Sequence, residues 1–241
     1  MDAFRRGTAE LIGAFALTFI GAGSIMVGAD LVGIALAHGL VIAVMVSAFG
    51  HISGGHFNPA VTFGFLITRR LSLHLAVVYW VAQMLGAVIG ALLLLWIYPD
   101  RVTDATNLGA PALAEEISVG AGLVIELILT FLFVSVVFAT AADPRGSFTA
   151  IAGLAIGLAI AFDVLMGGPL TGAAMNPSRA FGPQLVANFW SDGWIWYVGP
   201  LLGGGLAALA YEHLYLRGRE VPPAGTRESD IAEPAVGEEA L

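Results

Sequence analysis

The chain has 241 residues, 58% of them hydrophobic and only 12% charged, whereas a soluble domain is about a quarter charged and under half apolar. A formal charge of -8 with no lysine gives no support for nucleic-acid binding, and the absence of cysteine excludes a disulfide framework. What remains is a polytopic membrane protein.

Residues 1–7 carry Arg5 and Arg6 and read as a cytoplasmic N-terminus. The apolar run behind them has the look of a signal peptide, but Glu10 interrupts it and it continues to Val27, long enough to span. It is therefore expected to be the first transmembrane helix. After the short turn Ala29-Asp30, residues 31–49 form the second span, and the loop 51–57 leads into a short apolar stretch closed by Arg69-Arg70. The third span covers residues 73–98, and residues 99–116, rich in Asp, Thr, Gly and Pro, read as one long loop. The fourth span is 119–141, with a turn at Asp143-Pro144-Arg145-Gly146. The fifth, 149–165, is expected to break at Met166-Gly167-Gly168-Pro169, and the sixth is 194–216. Residues 217–241 read as a polar, disordered cytoplasmic tail.

Arginine placement orients these spans. Arg5, Arg6, Arg69, Arg70, Arg145, Arg217 and Arg219 fall on one side, and the other side holds Asp30, Asp100, Asp104, Glu115, Glu116 and Asp192, with Arg101 its lone loop cation. The positive-inside rule makes both termini cytoplasmic. The plasma (cell) membrane is the expected location.

Two stretches organise the chain. Ser53-Gly54-Gly55-His56-Phe57-Asn58-Pro59-Ala60 and Thr171-Gly172-Ala173-Ala174-Met175-Asn176-Pro177-Ser178 share hydroxyl-Gly, a large apolar residue and Asn-Pro at identical spacing, and each reaches Phe-Gly at the same distance further on. Asn is a preferred N-cap and Pro a preferred first helical residue, so each Asn-Pro starts a helix. The apolar segments that follow are too short to cross a core needing about 20 residues. They enter partway, where irregular backbone survives only inside protein or beside water. Glu10-Leu11-Ile12 and Glu126-Leu127-Ile128 open the two halves in the same way. An odd number of spans per half inverts the second copy, which places the substrate path at the repeat interface.

Several polar residues lie at membrane depth. Arg179 sits in the first turn of the second short helix and is expected to face a cavity, with backbone carbonyls of its own loop as neighbours. Glu10 and Glu126 demand partners. His38, on the second span, is open between a satisfied core residue and a pore residue. His56 is expected at the cytoplasmic vestibule, and no metal site is expected, since His51 and His56 have no third ligand nearby. Asp163 reads as a group that snorkels to the outer surface or pairs with a polar neighbour.

With its paired boxes Asn58-Pro59-Ala60 and Asn176-Pro177-Ser178-Arg179, the chain resembles the aquaporins, or major intrinsic proteins. The second box departs by carrying Ser178 for Ala. The resemblance implies an all-α membrane fold of six transmembrane helices and two re-entrant half-helices in an inverted repeat, with a channel domain over 8–216 built of repeats 8–98 and 117–216. It implies a passive channel for water and small neutral solutes such as ammonia, urea or hydrogen peroxide, with protons and ions excluded, no cofactor, no enzymatic activity and a homotetramer in the lipid bilayer. It casts Glu10 and Glu126 as braces of the re-entrant loops, and His38, Val164, Ala173 and Arg179 as the outer selectivity filter. Strict water channels resemble Phe, His, Cys or a small residue, and Arg at these places. Glycerol facilitators resemble Trp, Gly, Phe and Arg with Asp following, where this chain has Ala180. The set is most similar to the plant tonoplast intrinsic branch, which also shares a Gly-Gly-Pro loop like Gly167-Gly168-Pro169, and whose members pass water and often ammonia, urea or hydrogen peroxide. The long loop lacks the histidine of the ammonia-permeable subgroup. The competing readings are a glycerol and urea facilitator, and an inverted-repeat secondary transporter.

Overall fold

The computed structural model describes residues 2–145 and 151–217. The predicted disordered tail beyond Arg217 and the predicted start of the fifth span at Thr149 lie outside them. The long helices are α1 (Ala3–Met26), α2 (Leu31–Ser53), α4 (Leu73–Ile97), α6 (Val119–Val137), α7 (Ala152–Thr171) and α9 (Ile195–Tyr211), and the half-helices are α3 (Pro59–Ile67) and α8 (Pro177–Val186). Both α6 and α9 end in a π turn, Phe138–Ala142 and Glu212–Leu216 respectively. Helix starts follow local chemistry: Asp2, Asp30, Ser72 and Ser118 each accept a bond from a backbone N–H in the first turn, satisfying a donor the helix leaves orphaned.

Packing follows the repeat. Helix α1 lies on α4 as α6 lies on α9, and α2 crosses α7 at the centre. The half-helices change sides: α3, from the first half, packs on α9, and α8, from the second, packs on α4. Small residues permit this. A Cβ at Gly182 would fall 2.4 Å from the Ala87 carbonyl oxygen, and one at Gly204 would fall 3.0 Å from that of Ala60. At the α2–α7 crossing a Cβ on Gly157 would lie 2.3 Å from the Gly39 carbonyl oxygen. Elsewhere α2, α4 and α7 turn leucine and valine outward, as lipid-facing helices do.

Two expectations need correction. The fifth span does not break at Gly167-Gly168-Pro169, because α7 carries Pro169 within its last turn, where a missing N–H costs a single intrahelical bond. The break comes at Gly172, left-handed at φ 79°, whose N–H donates to the Gly168 oxygen at 3.0 Å. The long loop 99–116 is not structureless either. It holds α5 (Asp100–Thr106) and a 3-10 turn, Asn107–Gly109, whose three residues all have positive φ. Leu108 is buried there against Ala22, Met26 and Leu94, which supports the strained backbone.

Candidate functional site

Each re-entrant loop hangs from one buried glutamate. Glu10 accepts bonds from the Ser53 hydroxyl at 2.6 Å and from the His56 and Phe57 backbone N–H groups at 3.0 and 2.6 Å. Glu126 accepts from the Thr171 hydroxyl at 2.7 Å and from the Ala174 and Met175 N–H groups at 3.0 and 2.8 Å. The pairs are equivalent in the repeat. The match extends outward: the Tyr79 hydroxyl donates to the Ser53 carbonyl, and the Trp196 Nε1–H donates to the Thr171 carbonyl at 3.0 Å. The first brace has extra support. The Gln83 amide donates to Glu10 at 2.8 Å and to the Thr62 hydroxyl at 3.0 Å, and Arg6 donates to the Tyr79 hydroxyl at 2.9 Å.

The two Asn-Pro boxes meet through their side chains. Asn58 Oδ1 accepts from the Ala60 N–H at 2.8 Å, capping α3, while its amide donates to the Met175 carbonyl at 2.9 Å. Asn176 Oδ1 accepts from Ser178 N–H at 3.0 Å and Arg179 N–H at 3.3 Å, and its amide donates to the Phe57 carbonyl at 2.9 Å. Each asparagine therefore caps its own half-helix and ties the opposite loop. One amide N–H on each remains for the lumen. Pro59 and Pro177 occupy the first helical positions, and Ala60 and Ser178 are buried behind them. Ser178 adds a hydroxyl bond to Asn176 Oδ1 at 2.7 Å, which an alanine there would not supply.

One cavity runs past both boxes. His38, His56, Asn58, Ala173, Asn176 and Arg179 line it together with apolar Leu17, Val61, Phe133 and Ile160. The cavity leaves about 20 Å³ for the centre of a water molecule, a little above the roughly 10–15 Å³ that one water needs. The space is narrow. Val164 does not line it; Ile160, one turn earlier on α7, does, and Val164 is buried in the apolar cluster that includes Ala173.

Arg179 is 2% exposed, and its Nη1 donates to the Gly109 carbonyl at 2.9 Å. Its carbonyl partner thus comes from the long loop, whereas the sequence pointed to the re-entrant loop. The left-handed run at Asn107–Gly109 aims that carbonyl inward. His38 Nδ1 lies 2.9 Å from the Ile34 carbonyl oxygen, which can only accept, so Nδ1 carries a proton and Nε2 is the ring nitrogen left without that tether. His56 has its ring 4.6 Å from that of Phe65 and 5.2 Å from that of Tyr79, with Nδ1 3.1 Å from the Thr62 hydroxyl. Asp163 departs from expectation: it is 1% exposed, does not snorkel, and neither carboxylate oxygen has a hydrogen-bond partner among the described residues. Among the described residues no group of three His, Asp or Glu side chains converges to hold a metal.

The sequence profile described as "Major intrinsic protein" matches residues 1–211. The chain belongs to this family, the aquaporins. Among similar proteins, "Probable aquaporin TIP3-2" of Arabidopsis thaliana is 44% identical over 251 residues, covering 96% of this chain and 91% of the relative. "Aquaporin TIP4-4" of Zea mays is 45% identical over 221 residues, 86% of this chain and 85% of the relative. The solved aquaglyceroporin from Plasmodium falciparum superposes with a TM-score of 0.77 over 88% of this chain and 96% of its own, and at 24% identity it shows the fold. This aquaporin is an integral multi-pass membrane protein and a passive channel for water or small solutes, in a family of transporters and not of enzymes.

Proposed function

We propose that this aquaporin conducts water in single file, with ammonia, urea or hydrogen peroxide as secondary solutes, and excludes ions and protons. The observation that carries this reading is the narrow cavity on which both asparagine amides and Arg179 converge. Each half-helix N-terminus brings about half a positive charge to the point where the two meet. Together with the free amide N–H of Asn58 and of Asn176, those charges turn a passing water oxygen toward the boxes, break the proton-conducting chain and repel cations. His38, Ala173 and Arg179, which line the cavity, form the outer filter in this reading, with Arg179 as its fixed cation and His38 as its acceptor, and Val164, the fourth assigned position, packs behind them in the apolar cluster that includes Ala173. Ile160, which lines the cavity from the same helix, makes that wall apolar and less exclusively suited to water. The glycerol alternative is disfavoured by the narrowness of the cavity and by Ala180 in place of the Asp that follows the arginine in glycerol facilitators.

The domain limits we assign are a cytoplasmic segment 1–7, the channel over 8–216 and a tail from 217. Both termini on the cytoplasmic face, and a homotetramer with one pore per chain, complete the proposal. The TIP names of the relatives favour a vacuolar-type membrane over the plasma membrane expected from the sequence, and fractionating cells that express a tagged chain distinguishes the two. The functional test is stopped-flow light scattering on purified protein in liposomes, challenged with an impermeant osmolyte, glycerol, urea and an ammonium gradient. Fast water flux with slow glycerol is expected. Liposomes no leakier than protein-free controls would refute the channel, and flux that follows an imposed proton or sodium gradient would indicate a secondary transporter.

A further inference from the structure

Resting on the filter reading above, we infer that Gly21 of α1 is a specificity-determining position: it is the recess that holds the His38 ring back from the lumen and so sets the width open to solutes larger than water. Gly21 does not line the cavity, whereas His38 does. A Cβ built on Gly21 would fall 2.5 Å from His38 Nε2, 2.7 Å from Cδ2 and 3.0 Å from Cε1. The outer edge of the imidazole therefore occupies the volume a side chain at 21 would fill.

Neither helix can retreat to make room. Helix α1 is pressed on α4, where a Cβ on Gly86 would lie 2.2 Å from the Leu11 carbonyl oxygen and one on Gly90 would lie 3.1 Å from that of Phe15. Helix α2 is pressed on α7, where a Cβ on Gly39 would lie 2.5 Å from the Gly157 carbonyl oxygen and 2.9 Å from Ala161 Cβ. The near end of the ring is tethered through Nδ1 to Ile34. With both helices pinned and the ring held at one end, the remaining direction for the imidazole is into the lumen. The neighbouring residue serves Arg179 in the same manner: a Cβ on Gly109 would fall 2.8 Å from Ala22 Cβ, and Gly109 supplies the carbonyl that holds Arg179. The Gly21-Ala22 step of α1 thus underlies both polar members of the filter while contributing no side chain to it.

The test is a double-mutant cycle of Gly21→Ala and His38→Ala in the full chain, read by water and urea flux in liposomes and by thermal unfolding. Gly21→Ala in the native background should lower urea flux about tenfold, and water flux less, because overpacking drives the ring inward. In the His38→Ala background the same substitution should change neither flux nor melting temperature. Equal losses with and without His38 would overturn the inference, since Gly21 would then serve helix packing alone; so would no change in either background. If Gly21→Ala by itself fails to fold, recovery of folded protein in the double variant supports the recess, and its absence overturns it. Wild-type liposomes without flux would refute the channel reading instead, and the melting cycle would still decide the recess.

Discussion

Glu10→Gln tests how the first re-entrant loop is held. Glu10 collects four donors, Ser53 and His56 on Oε1, Phe57 and Gln83 on Oε2. A glutamine keeps one oxygen. If that oxygen stays with Ser53 and His56, the new NH2 faces the Phe57 N–H and the Gln83 amide. Gln83 can rotate, because its own Oε1 has no partner among the described residues, and so restore one bond. The Phe57 backbone cannot. A buried N–H left unpaired costs about 1–3 kcal/mol, and loss of charge from the two remaining bonds costs about 1 kcal/mol more. At roughly 2–4 °C per kcal/mol for a chain of this size, the melting temperature should fall by about 5–15 °C. Intrinsic tryptophan fluorescence or size-exclusion thermal scans in detergent would measure it, with flux falling as the loop loosens. A shift under about 2 °C would refute the brace, since it would mean that no charged acceptor is needed at this position.

Arg179→Val should raise cation or urea leakage in liposomes, since the constriction loses its fixed charge; unchanged selectivity would remove Arg179 from the filter. Just past the π turn that ends α6, Asp143 accepts from the Arg145 backbone N–H at 3.0 Å and from its Nε and Nη2 at 2.9 and 2.6 Å, and this guanidinium holds its carboxyl below the usual range. A lowered carboxyl stabilises fully above its unfolded value of about 4 and loses that contribution as pH falls through the folded value. Wild type should therefore melt slightly above Asp143→Asn at pH 6, with the gap closing in acid, and parallel curves would contradict the pair. Gly172→Ala forces a side chain into left-handed backbone at φ 79° and within 3.0 Å of Pro111; a loss of about 1–3 kcal/mol is expected in thermal melts, and an unchanged melt would show that the loop relaxes there.

The features legible in the sequence are those set by local chemistry. Asn-Pro marks the start of both half-helices because capping and the fixed proline φ act within a few residues, and Glu10 and Glu126 stand out because a carboxylate at membrane depth needs donors. The long-range partners were not legible. Nothing near Asn58 announces Met175 as its acceptor, and nothing near Arg179 announces Gly109, because both contacts depend on how the two halves face each other. Pro169 misled because a proline in the last turn of a helix breaks one bond and not the helix. Leu108 was hidden because a non-glycine residue at positive φ has no sequence signal when burial, and not intrinsic preference, holds it there. Tyr79, Gln83 and Trp196 look like ordinary lipid-phase residues until the loops they support are in place.

The reciprocal amide bonds bear on how the protein is made. The Phe57 carbonyl is satisfied by Asn176, 119 positions later in the chain, and the Met175 carbonyl by Asn58, 117 positions earlier. When the ribosome has delivered only the first half to the membrane, the first re-entrant loop has its glutamate hook but not its opposite amide, and α3 has no α9 to lie on. Neither half is a finished unit. The first must wait, incompletely bonded, until the second emerges and inserts in the opposite sense, so the pore closes around itself as a late event of biogenesis and a chain truncated after the fourth span should be a substrate for quality control, not half a channel.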